Sequence, residues 1–98
     1  DQKAQARVFQ ALEDDSPDVR AEAATLIGKS CDAEDVQDLL IAKLRDNNVQ
    51  VRKNIAMSLM KLGATDTIEE LLTAEQDESD PDVKAVISVA IKILKNQI

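Results

Sequence analysis

A chain of 98 residues, 44% apolar but with Phe9 as its single aromatic side chain, suits one small core of close-packed helices. It does not suit a sandwich or barrel, whose strands favour aromatic and β-branched residues. The formal net charge of −7, with acids and bases interspersed, excludes a phosphate-tracking surface and points to a soluble scaffold with, at most, a basic protein partner.

Further exclusions follow from single residues. Histidine is absent, which removes the usual general base and the commonest metal ligand. Cys31 stands alone and cannot form an internal disulfide, which fits a reducing, cytoplasmic compartment. The longest apolar run, Leu39 to Ala42, falls far short of the ~20 residues of a membrane span. No charged-then-apolar leader opens the chain, so secretion is not expected. A start at Asp1 rather than Met suggests a processed form or a piece of a longer protein.

In chain order, the first helix is expected over 2–13, with Ala4, Val8, Phe9 and Leu12 on one face. Ser16-Pro17 places an N-cap before a proline at the first helical position and opens a helix over 17–30. Asp32 caps a third over 33–45, through Val36, Leu39, Leu40 and Leu44. Asn47 or Asn48 opens the fourth, 49–62, which Gly63 ends where a left-handed residue is wanted. Asp66 with Glu69 makes a capping-box pattern for 66–77, through Ile68, Leu71 and Leu72. Asp80-Pro81 opens the last, 81–96. No stretch alternates with period two, so the chain is expected to be all-α.

These elements repeat. Val19-Arg20, Val51-Arg52 and Val83-Lys84 recur every 32 residues (19, 51, 83), and Asp14, Asp46 and Glu78 lie six positions before each cation. A fixed period of this size marks a solenoid of stacked helical units. One domain over 1–98 then holds three helix pairs, at about 1–31, 32–63 and 64–98.

The pattern Asp14…Val19-Arg20…Ala23-Ala24…Ile27-Gly28, repeated as Asp46…Val51-Arg52…Ala56…Leu59 before Lys61-Leu62-Gly63, resembles HEAT repeats. Its short period is similar to the HEAT-like class that includes the phycobilisome-lyase type. The proline often found in the first HEAT helix is missing, and the third unit has lost its glycine and carries Lys84 for arginine. The resemblance implies a right-handed, armadillo-like α-solenoid whose second helices line a concave face. It also implies a ladder of charge pairs between neighbouring units, Asp14–Arg20, Asp46–Arg52 and Glu78–Lys84. An arginine that donates to several carboxylates and loop carbonyls suits such an architectural role.

Counting from Val19, Val51 and Val83 as zero, offsets 0, 4, 5, 8 and 11 are apolar or small and are expected in the core. Offsets 2, 3, 6 and 10 then point to the concave side: Ala21, Glu22, Thr25 and Lys29; Lys53, Asn54, Met57 and Lys61; Ala85, Val86, Val89 and Ile93. This face turns from polar to apolar along the stack, and Met57 with Met60 offers an adaptable surface in its middle. The last helix is apolar almost all round. A further repeat, self-association or a partner surface would each account for that.

Chemistry is harder to find. No Ser-His-acid or Cys-His set is possible, and Gly28 and Gly63 make no phosphate-cradling loop. Only Lys29 lies near Cys31, which reads as a structural thiol. The acidic turns around Asp14 and Glu78 lack calcium-loop spacing and read as caps and dipole partners. No metal, cofactor or catalytic residue is assigned, and nucleic acid is excluded as a partner.

The expectation is a non-catalytic scaffold that holds a protein on its concave face through Lys53, Asn54, Met57, Lys61, Val86, Val89 and Ile93. The alternative is an accessory subunit or domain of an enzyme, such as a bilin-lyase-like protein. Against it stand the absent histidines and sparse aromatic lining for a tetrapyrrole pocket.

Overall fold

The computed structural model describes residues 2–98; Asp1, where the expected domain begins, lies outside the described residues. Among these, six α-helices and one 3₁₀ turn account for the regular structure, and no strand occurs. The helices are α1 (Gln2–Ala11), α2 (Pro17–Ser30), α3 (Ala33–Lys43), α4 (Val49–Lys61), α5 (Ile68–Asp77) and α6 (Pro81–Lys95).

Three helix starts obey one rule. Ser16, Asn48 and Asp80 sit at N-cap positions in extended backbone, and each side chain accepts the N–H three residues on, at Val19, Val51 and Val83. In front of each cap an acid accepts the cap's own N–H: Asp14 from Ser16 at 2.9 Å, Asp46 from Asn48 at 2.9 Å, Glu78 from Asp80 at 3.0 Å. Two consecutive turns of backbone are thus closed by side chains before the helix begins.

The other starts are weaker. Asp32 precedes α3 without a side-chain cap bond. The capping box expected from Asp66 and Glu69 does not form, because Asp66 is taken up in the 3₁₀ turn Thr65–Thr67 and α5 begins at Ile68. That turn is held instead by the buried Thr67 hydroxyl, which donates to the Ala64 carbonyl at 2.7 Å. Gly63, at φ +67°, ends α4, and the Ala64 N–H reaches back to the Leu59 carbonyl at 3.1 Å.

The principal contacts run α2 to α4 and α4 to α6, with α1, α3 and α5 each laid on its own partner. Two layers result, and the shortest dimension of the molecule is 16 Å. Between the layers lies one continuous core that includes Leu12, Ile27, Val36, Leu40, Ile55, Leu59, Leu71, Ile87 and Leu94.

Two placements differ from the offset reading. Val19 is exposed, although its equivalents Val51 and Val83 are fully buried, because among the described residues no helix pair lies on its far side. Ala21 is buried rather than surface-facing, since Asn54 of α4 reaches across to its carbonyl at 2.9 Å. The last helix is less anomalous than its composition suggested: Val83, Ile87, Ala90, Ile91 and Leu94 all enter the core.

Candidate functional site

The turns before α2, α4 and α6 line up along one edge, and the arginines stitch them together. Arg20 directs Nε and Nη2 to both Asp46 carboxylate oxygens, at 2.9 and 3.1 Å, and Nη1 to the Asp14 carbonyl at 2.8 Å. Arg52 repeats this on Glu78 at 2.8 Å for both bonds, with Nη1 on the Asp46 carbonyl at 2.9 Å. The ladder therefore joins units as expected, but with different partners. Each arginine uses only the backbone of the acid six residues before it and spends its fork on the acid of the next unit. The six-residue spacing brings the guanidinium over its own turn, which leaves the Nε edge aimed forward. Among the described residues Lys84 meets no acid of a following unit, and its ammonium pairs with neither Glu78 nor any other described residue.

These carboxylates are nearly buried, and their titration reflects it. The Arg52 guanidinium holds Glu78 below the usual carboxylate range, against the opposing effect of burial. For Asp46 burial is the largest influence and pushes the carboxyl up. The Arg20 hydrogen bond, the Asn48 N–H and the charges of Arg20 and Lys43 together outweigh it and leave Asp46 below its ordinary value. Two further pairs on this edge, Lys43 with Glu13 and the exposed Arg45 with Asp77, escaped the sequence reading because nothing in single-helix spacing brings them together.

The residues expected to bind a partner lie on α4 and α6. Met57, Val86 and Val89 come together with Met60 and Ala85 to line an apolar groove of about 270 Å³ between α4 and α6. Val89 is 50% exposed and Met57 half-buried. Lys53 and Lys61 lie one helical turn before and after Met57 on α4, flanking the groove without joining its lining. Asn54 and Ile93 do not join it. Asn54 is committed to the Ala21 carbonyl and to Gln50, at 2.9 and 2.8 Å, and Ile93 lies a turn beyond Val89.

Cys31 is the C-cap residue of α2, half-buried against the core. Among the described residues no group of three or more Asp, Glu or Cys is placed to hold a metal ion. No helix among the described residues is long and apolar enough to cross a membrane.

Stacked helix pairs, a cap-and-acid turn repeated at each unit and an arginine ladder define a helical repeat fold. The family profile of HEAT repeats matches residues 6–92, and the chain belongs to that family. It is similar to the bilin biosynthesis protein MpeU of Synechococcus sp. (strain WH8020), at 49% identity over 86 residues. That match covers 88% of this chain and 29% of MpeU, so the chain spans less than a third of its relative's length. The likeness overturns the expectation that the chain is no enzyme, since its relative is named for a biosynthetic activity. The expectation failed because it searched this short chain for a complete catalytic set.

Proposed function

We propose that this chain is a HEAT-repeat part of an enzyme of bilin biosynthesis, and that it seats a protein partner of that chemistry on the α2–α4–α6 face. The similarity to MpeU over nearly the whole chain carries this reading. The groove of Met57, Met60, Ala85, Val86 and Val89 supports it as an apolar, open surface flanked by Lys53 and Lys61.

The test uses the purified chain and its Met57→Glu, Val89→Glu double variant, matched for helicity and melting. Each is titrated with a free bilin and, separately, with an apo-protein that carries bilins. The reading requires saturable binding of the apo-protein by the unmodified chain, weakened at least ~10-fold in the variant. Binding of the apo-protein by neither chain would sink it. A bilin absorbance change without apo-protein binding would replace the protein partner by the pigment itself.

A further inference from the structure

We propose that the outer edge of α2, together with Asp14, is the receiving half of an inter-unit interface and takes a further HEAT helix pair. The two interfaces inside the chain supply the template. At each, the acid before an inner helix accepts an arginine fork from the unit in front: Asp46 from Arg20, Glu78 from Arg52. Asp14 occupies the same station, with its carboxylate accepting the Ser16 N–H as Asp46 and Glu78 accept theirs. Arg20 reaches only the Asp14 backbone carbonyl, and among the described residues no cation's hydrogen bond or ion pair reaches the Asp14 carboxylate.

The apolar positions agree. Offset 0 is fully buried at Val51 and Val83 but 38% exposed at Val19. Offset 7 is buried at Ser58 and Ala90 but 42% exposed at Leu26. Val19 and Leu26 border a shallow depression of about 230 Å³ whose other walls come from Arg7, Val8, Ala11, Glu22 and Ala23. Charge and apolar contact are thus both left open on one edge, in the register that the next two units fill.

The occupant has defined chemistry: a helix pair whose inner helix carries an arginine at offset 1 and a small residue at offset 9. Gly28 has that offset where it meets Ser58, and Leu26 is bulkier than Ser58. A second copy of this chain fits poorly. It would bring Lys92 against Leu26 and offer Lys84, a point charge that cannot grip both its own turn and a carboxylate, from a molecule that shares the net charge of −7.

The experiment joins a copy of residues 2–32, which carries Arg20 at offset 1 and Gly28 at offset 9, ahead of Gln2, and follows amide exchange in α2 of the original chain. Added helix, exchange slowed by at least ~10-fold between Val19 and Leu26, and a melting temperature raised by several degrees are expected for the fusion. Asp14→Asn should then lower the melting temperature in the fusion and leave the unfused chain unmoved. The proposal is overturned if the fusion does not protect α2, or if Asp14→Asn acts equally with and without the added unit. It is also overturned if the unfused chain sediments as a dimer that Leu26→Glu dissociates, since a second copy would then be the occupant.

Discussion

The Ser58 hydroxyl donates to the Ala24 carbonyl at 2.6 Å across the α2–α4 crossing, and a Cβ on Gly28 would lie 2.4 Å from that same hydroxyl oxygen. The two helices meet so closely that the backbone of Ser58 is itself 2.9 Å from where that Cβ would stand. Gly28 is in ordinary helical conformation, so its role is space and not conformational freedom. Alanine there gains up to ~1 kcal/mol of helix propensity but forces the crossing apart, and overpacking costs about 1–3 kcal/mol. Gly28→Ala is expected to destabilise the fold by about 1–2 kcal/mol in urea unfolding. Combined with Ser58→Gly, the loss should be smaller than the sum of the two single losses, a coupling that a double-mutant cycle reads directly.

The ladder makes a second claim, about stability. Arg52 makes two hydrogen bonds to a nearly buried Glu78 and a third to the Asp46 carbonyl. Hydrogen bonds to charged groups contribute about 1.5–3 kcal/mol each, and removal of one partner leaves the other desolvated. Arg52→Leu is expected to cost about 2–3 kcal/mol by urea unfolding, and Arg52→Lys to recover only part of it, because an ammonium cannot reproduce the fork. Substitution of the exposed Arg45, paired with Asp77, should cost less than about 1 kcal/mol.

Acid provides an independent check on the same pairs. Asp46 and Glu78 both titrate below their ordinary values of 3.8 and 4.5 in the folded protein. The unfolded chain therefore binds more protons in this range, and stability from these groups is complete above about pH 5. It declines as pH falls through those ordinary values towards the folded ones. The partner arginines are raised above their ordinary value by those same carboxylates, so their share is lost only at strongly alkaline pH. Urea midpoints taken from about pH 6 to about pH 3 should fall in the unmodified chain, and Glu78→Gln should flatten that slope.

The all-helical repeat was legible because three signals coincided: the caps at Ser16, at Asn47 or Asn48 and at Asp80, the recurring valine-cation pairs, and the apolar columns between them. Ladder partners were not, because Arg20 and Asp46 are 26 residues apart and meet only through stacking. The Val19 column misled for a related reason. Periodicity assigns Val19, Val51 and Val83 one environment, yet a column is buried only where a neighbour covers it. The Asp66 capping box failed because a buried threonine hydroxyl closed the turn first. Offsets alone put Met57, Val86 and Val89 on one face, where they line the groove, and put Asn54 there too, although its amide bonds to the neighbouring helix.

The groove residues differ in how far they serve the fold, and that difference can be measured. Val86 is half-buried and packs against the core, whereas Val89 is half exposed at the groove's rim. A carboxylate at 86 has its charge pressed against Leu and Ile side chains, and desolvation without a partner is costly. One at 89 remains in water. Val86→Glu is expected to lower stability by about 2 kcal/mol, and Val89→Glu to change it by less than about 0.5 kcal/mol. Urea unfolding of the two single variants decides this. Equal losses at both sites would mean that Val89 also supports the core, and Val89 could no longer report on binding independently of folding.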